Sequence, residues 1–203
     1  MRKTRAESRE NNRRALLDAA FQVVTRDGYR AKLEDIAERA GLTTGAVYSL
    51  FGSKNGLVVA LVTDYLQPHY AQFEEAVPAE LDLVAAVDAF ARHYRRTCDA
   101  PEALSALSLQ MTLQEMSLHD PKLGAQLAES VREQENHLIA LFTGRDHNGS
   151  VVTRHQAERL TTALRALLVG LSQGVVLGLA AGADEQYFAD VACALVSDAS
   201  LVG

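Results

Sequence analysis

The chain contains no tryptophan, two cysteines, four prolines and three methionines among its 203 residues, and aromatic residues make up only 6% of it. Cys98 and Cys193 lie far apart, and no C-x-x-C pair occurs. That indicates neither a disulfide framework nor a zinc cage and leaves both as small core residues. Long hydrophobic runs are missing too. The longest apolar stretch, near Ala163 to Ala183, is interrupted by Arg165, Ser172 and Gln173, and the N-terminus is charged rather than apolar. Neither a membrane span nor a secretory leader is therefore expected, and the expected compartment is the cytoplasm. No segment sustains strand alternation, no internal repeat is evident, and no H-E-x-x-H, P-loop or clustered metal-ligand spacing occurs. No cofactor, no metal site and no catalytic residue is expected.

With 48% hydrophobic residues, the chain can bury a sizeable core, and its length suits a small domain followed by a larger one. Charge divides it in the same way. Residues 1–56 hold eleven Lys/Arg against seven Asp/Glu, a net of +4, whereas residues 57–203 hold nine against nineteen, a net of −10. A basic head suits a polyanion and an acidic body repels one, so the two parts are expected to serve different partners; scatter in surface charge is the bland alternative. The expected fold is all-α with about nine helices, an N-terminal three-helix domain over 1–56 and a helical body over 57–203.

The head is organised around Leu33 to Phe51, LEDIAERAGLTTGAVYSLF. Leu33, Ile36, Ala37 and Ala40 repeat at helical spacing, Gly41 stops the pattern, and Val47, Leu50 and Phe51 resume it, which reads as a helix-turn-helix. Gly41 is expected in the left-handed conformation that a residue without Cβ adopts cheaply, and Thr43 is expected to cap the second helix. With Val47, Leu50 and Phe51 turned inward, that helix presents Thr44, Gly45, Tyr48 and Ser49, a face of small and hydroxyl groups suited to phosphates and base edges. A plain helical hairpin is the alternative reading of the spacing alone.

Sequence context narrows the choice. Residues 13 to 61 resemble the DNA-binding domain of the tetracycline-repressor (TetR) family, matching its A-x-x-A-G-[VL]-[ST]-x-G-x-[LV]-Y-x-x-F-x-[SN]-K core at Ala37, Ala40, Gly41, Leu42, Thr43, Gly45, Val47, Tyr48, Phe51, Ser53 and Lys54. The resemblance covers about the first third of the chain and continues beyond it in layout only. It implies a homodimeric transcriptional regulator, most often a repressor, released from an operator by a small molecule. Thr43, Thr44, Gly45, Tyr48, Ser49 and Lys54 are then the expected DNA-binding residues. One departure is Lys32, which stands where the family usually offers a Ser or Thr cap and cannot accept from the helix's free N–H groups.

In chain order, residues 1–12 read as a polar, basic arm, either lying along phosphates or merely disordered. Arg13 to Asp27 read as the first helix, with Leu16, Leu17, Ala20, Phe21, Val23 and Val24 apolar and Gly28 ending it; Phe21 and Val24 are expected to pack on Ile36 and Phe51. Ser53 opens a fourth helix, in which Lys54 can reach a phosphate and Leu57, Val58, Leu61, Val62 and Tyr65 form a stripe ending at Pro68. This helix is expected to be the only covalent route from body to head. Further helices are expected over Leu81 to Thr97, Pro101 to Leu118 and Pro121 to Phe142, followed by a loop over Thr143 to Thr153.

Residues 154–181 carry two stripes, one of leucines and one of small residues at Ala163, Ala166, Gly170, Gly174, Gly178 and Ala181. Small residues let helix backbones approach closely, so Gly170, Gly174 and Gly178, with Val191 and Leu195 of the last helix, are expected at a dimer seam; the alternative is that both stripes face the chain's own core. Gly170 to Gly174 also match the G-x-S-x-G elbow of serine hydrolases. That chemistry needs a strand before Ser172 and a histidine after it, and all six histidines precede it. The expected partners are double-stranded operator DNA, a second copy of the chain and a small-molecule effector, with no membrane involved. Phe90, His93, Tyr94, Gln110, Met111, Gln114 and Gln173 are the candidates to line an effector pocket, each having a plain core or surface reading as well. A ligand-independent architectural DNA-binding protein is the other alternative, and the acidic body argues against it.

Overall fold

The computed structural model describes residues 4–197, excepting the side chains of residues 65–71 and 133–134. Among the described residues the chain forms α1 (Arg5–Asp27), α2 (Leu33–Arg39), α3 (Thr44–Phe51), α4 (Lys54–Ala76), α5 (Leu83–Thr97), α6 (Ala103–His119), α7 (Pro121–Phe142), β1 (Asp146–His147), β2 (Ser150–Val151), α8 (Arg154–Val176) and α9 (Glu185–Ser197). The fold is all-α apart from one small hairpin.

Four boundaries depart from the sequence expectation, each for a local reason. The first helix begins at Arg5, because Thr4 and Glu7 form a reciprocal capping box; residues 5–12 are therefore helical rather than an arm, and residues 1–3 lie outside the described set. Helix α4 runs through Pro68 to Ala76. Proline removes one bond of the ladder, and the turns on either side carry the helix onward. The side chain of Tyr65, placed on that helix's apolar stripe, lies outside the described residues. Within the expected 143–153 loop, Asn148 and Gly149 both take positive φ (54° and 78°) and join β1 to β2 as an antiparallel two-residue hairpin. Helix α8 stops at Val176, not near 181, since Gly178 adopts φ +74° and the N–H groups of Leu179 and Ala180 return to the Gly174 carbonyl.

The chain divides into two compact units, and not by a single cut after residue 56. The first holds the residues through Leu66 together with Ser108–Val131; the second holds Gln67–Leu107 and Arg132 onward. The reason lies in the apolar faces. Leu109 and Met116 of α6 and Leu123 and Leu127 of α7 are buried in one cluster with Leu16, Ala20 and Val24 of α1, Ile36 of α2, Val47 of α3 and Leu57 and Leu61 of α4. A three-helix head is small, and these additions enlarge the apolar surface it removes from water. Phe21 and Phe51 pack against the same cluster. Helices α4, α6 and α7 each contribute to both units, so the body has three covalent routes to the head rather than one.

In the second unit α5, α8 and α9 share a core of Leu83, Val87, Phe90, Leu160, Leu164, Leu168 and Phe188. Arg92, Arg95 and Arg96 on α5 donate to Gln186 Oε1, the Ala183 carbonyl and Glu185 Oε2 at 2.7, 2.7 and 3.0 Å, which fixes the start of α9 against α5. Arg145 is 7% exposed and donates to the carbonyls of Leu141, Pro78, Leu81 and Val77, fastening the segment between α4 and α5 to the end of α7. No carboxylate bonds this arginine among the described residues, and burial pulls its pKa below the usual arginine value.

Candidate nucleic-acid interface

Helix α3 is held from both ends. Gly41 takes φ +66° and closes α2, with its N–H on the Glu38 carbonyl and that of Leu42 on the Ala37 carbonyl, both at 2.9 Å. Thr43 Oγ1 accepts from Ala46 N at 3.3 Å and starts α3; Gly52, at φ +74°, ends it. Val47 is fully buried, and Leu50 and Phe51 pack beside it. The opposite face carries exposed Thr43, Gly45 and Ser49, half-buried Thr44, and Tyr48 at 58% exposure. A tyrosine ring left in water on a helix this well fixed is a group with an apolar face and a hydroxyl to offer. As expected, the Lys32 side chain makes no cap bond to α2.

The first turn of α4 meets three elements with three successive residues. Lys54 Nζ donates to the Ala31 carbonyl ahead of α2. Asn55 Nδ2 donates to Asp120 Oδ2 at 2.8 Å. Gly56 lies so close to the end of α3 that an added Cβ would sit 2.1 Å from the Phe51 carbonyl oxygen. Ser53 Oγ accepts from Gly56 N at 2.9 Å and starts the helix. Asp120 also accepts from the N–H groups of Lys122 and Leu123 and so caps α7; the Asn55 bond, with those N–H groups, holds its carboxyl below the ordinary range. Further along α4, Arg13 grips Asp64 with two bonds of 2.6 and 2.9 Å and stands 5.9 Å from the centre of the Phe51 ring. Asn55, Gly56, Asp64 and Arg13 do not stand out in the sequence, since nothing in the spacing of a polar pair 51 or 65 positions apart marks it as bonded.

Lys54 differs from its expected setting. Its ammonium is half-buried and engaged by a backbone carbonyl instead of projecting from the helix end, and burial lowers its pKa, partly offset by Asp120 and Glu34.

The residues expected around an effector separate. Phe90, His93 and Tyr94 gather around Phe73, with ring centres 4.7, 5.2 and 5.9 Å from it, and Phe142 meets Phe90 edge-on at 5.6 Å. Gln110, Met111 and Gln114 fall in the other unit, and Met111 is 52% exposed. The inward stripe of α6 is Leu109, Leu113 and Met116, which turns 111 and 114 to solvent. Gln173 sits half-buried in the last turn of α8. Nothing in the sequence marks Thr161, yet it is 3% exposed and its hydroxyl has no hydrogen-bond partner among the described residues.

Of the expected seam residues, Gly170 is exposed, with no atom within 4 Å of where a Cβ would stand, while Gly174 packs against Ala180 of its own turn and Gly178 lies beyond the helix. Val191 and Leu195 are half-buried on α9. Ser172 is inside α8, its hydroxyl donating to the Val169 carbonyl at 2.9 Å, with no strand leading into it. That is not a nucleophile elbow.

This head, with its fixed α2–turn–α3 pair and exposed α3 face, defines a helix-turn-helix transcriptional regulator. Residues 16–61 match the bacterial regulatory proteins of the tetR family. The chain is 30% identical over 166 residues to the HTH-type transcriptional regulator BetI of Escherichia coli O45:K1, covering 78% of this chain and 79% of that one. To the HTH-type transcriptional repressor KstR2 of Rhodococcus jostii it is 29% identical over 100 residues, about half the length of either protein. The regulator FadR of Bacillus subtilis in complex with stearoyl-CoA shares the fold at a TM-score of 0.57 and 16% identity, over 90% of this chain and 96% of that one. The chain belongs to the tetR family of bacterial transcriptional regulators. No single helix among its described residues is long and apolar enough to cross a membrane.

Proposed function

We propose that the protein is a cytoplasmic, ligand-responsive repressor that binds a two-half-site operator as a homodimer and is released by a small molecule held in the second unit. The observation that carries the DNA reading is the face of α3: Tyr48 stands 58% exposed beside Thr43, Thr44, Gly45 and Ser49, while Val47 behind it is completely buried. Phosphates and base edges are contacted by such hydroxyl groups and by closely approaching backbone.

For the effector, the supporting features are the aromatic group of Phe73, Phe90, Tyr94 and Phe142 and the Thr161 hydroxyl, which has no hydrogen-bond partner among the described residues, because a buried polar atom in that position calls for one. A molecule with an apolar body and one polar group suits both. KstR2 is a repressor and the related FadR fold holds stearoyl-CoA, in agreement with this reading. The effector must bind the DNA-incompetent arrangement more tightly than the competent one, since only differential affinity moves the equilibrium. Its effect has three covalent paths to the head, through α4, α6 and α7, and the Asn55–Asp120 bond joins two of them within the first unit.

The test begins with a duplex selected by the wild-type protein from a random library. Tyr48→Ala should bind it about tenfold or more weakly while melting at the wild-type temperature, as removal of a groove-facing ring requires. Unchanged affinity at matched salt would remove α3 from the interface. A compound found by thermal shift should lower wild-type affinity for the same duplex, and one that binds without doing so would refute the switch.

A further inference from the structure

We infer that Arg13 is a positioning residue for DNA reading: reaching from α1, it ties the last residue of α3 to the middle of α4 and so sets the tilt at which the α3 face is presented. The inference rests on the operator-binding reading and specifies one residue's part in it. Of the two ends of α3, the first is fixed locally, by the turn at Gly41 and the Thr43 cap. The far end is closed by Gly52, whose φ of +74° turns the chain but which has no side chain to hold it. An eight-residue helix has little stability of its own, so its direction there depends on what grips Phe51, its last side chain.

Phe51 is half-buried, and the Arg13 guanidinium lies 5.9 Å from the centre of its ring, within the range of a cation on an aromatic face. The same guanidinium donates through both of its Nη atoms to the two carboxylate oxygens of Asp64, at 2.6 and 2.9 Å. A planar, forked cation can do both at once, which an ammonium cannot. The Asp64 end is itself held, since the adjacent Thr63 hydroxyl meets Ser130 of α7 at 2.9 Å. One side chain therefore refers the exit of α3 to a turn of α4 that is fastened on two sides. A basic residue in a basic head also invites reading as a phosphate contact, and the carboxylates argue against it. The Asp64 bond is the main cause of a pKa above the ordinary arginine value, against partial desolvation, and Glu10 acts in the same direction, so the charge of Arg13 is already met within the chain. Arg14, next in sequence, is exposed and serves as the comparison.

The two roles separate on the sign of one substitution. Asp64→Asn leaves the arginine charge uncompensated: a phosphate contact would then bind every duplex more tightly, whereas a positioning residue would lose its hold and fit the selected sequence less well. The experiment measures affinities of wild type, Arg13→Leu, Asp64→Asn, the double variant and Arg14→Leu for the selected duplex and for a scrambled one, by fluorescence anisotropy across a salt series, with melting temperature recorded for each. The ratio of the two affinities is the readout, because a change of net charge moves both duplexes together. Arg13→Leu and Asp64→Asn should each lower that ratio by about tenfold, two heads on one operator compounding a factor of about three from a half-exposed ion pair in each. The double variant should lower it no further than either single one, as befits two residues acting as a pair. Arg14→Leu should leave the ratio at the wild-type value. An unchanged ratio in Arg13→Leu would overturn the assignment, whether or not the melting temperature falls. So would both duplexes weakening together with a salt slope flattened by about 0.9 per head, tighter binding of both by Asp64→Asn with the ratio preserved, additive losses in the double variant, or an equal loss in Arg14→Leu. Should Arg13→Leu not fold, Asp64→Asn decides alone: a lowered ratio supports the positioning role and a preserved one refutes it. If the wild-type protein selects no duplex at all, the operator reading falls and this assignment with it, whereas selection with a ratio indifferent to both substitutions removes the assignment alone.

Discussion

Gly56 is the residue in the head with least room to change. A Cβ placed on it would lie 2.1 Å from the Phe51 carbonyl oxygen, and because that atom is backbone it cannot swing aside. Either the first turn of α4 or the last of α3 must move. Gly56→Ala is therefore expected to destabilise the protein by about 1–3 kcal/mol, the usual cost of overpacking, in spite of alanine's better helix propensity. Urea unfolding measures it, and a variant as stable as wild type would mean that α4 and α3 are not so closely joined. Arg145 makes the complementary point about what sequence hides. Read in order, it is one polar residue of a Gly- and Asn-containing loop; folded, it is 7% exposed and its guanidinium meets four backbone carbonyls, three of them more than 60 positions away. Composition places arginine outside, and only tertiary structure can supply a ring of carbonyls that keeps one inside.

Elements with a strong period and ordinary punctuation were legible. The α2–turn–α3 pair could be read because Gly41 needs a left-handed backbone, Thr43 caps and Val47 faces inward, all of them short-range facts. The full span of α7, Pro121–Phe142, was legible from its first-turn proline. The grouping of α6 and α7 with the head was not, since it depends on which apolar faces meet, and Leu109 or Leu123 would serve equally well in either unit. The N-cap of α7 shows what that grouping does chemically. Asp120 caps its own helix and accepts from Asn55, and its carboxyl titrates below the ordinary value. A group whose folded pKa is depressed contributes stability that is complete above its unfolded pKa, about 3.9, and that is lost as pH falls through the folded value. Asp120→Ala should therefore melt below wild type at pH 7, and the gap should narrow as pH drops beneath about 4. A gap independent of pH would mean that the ionised carboxylate does not hold this junction.

For the molecule as a whole, the proposed operator-binding reading raises the question of how one head with a single α3 would hold DNA tightly. Two half-sites one helical turn apart, about 34–36 Å, need two heads at fixed spacing, and so a dimer. The sequence offered a stripe of glycines as the seam, and the structure divides that stripe by function. Gly178 is a helix stop, and a Cβ on Gly174 would press on Ala180 at 3.0 Å, so substituting either one disturbs the end of α8 in the monomer itself. Gly170 is the informative position. It is exposed in the middle of α8, an added Cβ would touch nothing within 4 Å, and exposed Ala166 lies one turn before it. Arginine there has a better helix propensity than glycine by up to about 1 kcal/mol, so Gly170→Arg should not harm the isolated chain. Across a two-fold seam, however, it would meet its own symmetry mate, placing two like charges and two long stems where closely packed backbones are proposed. Gly170→Arg should then shift the protein from dimer to monomer in light scattering, leave its melting at high dilution at or above wild type, and reduce affinity for a two-half-site duplex much more than for a single half-site. A variant that stays dimeric and binds the full operator normally would move the seam off this face of α8.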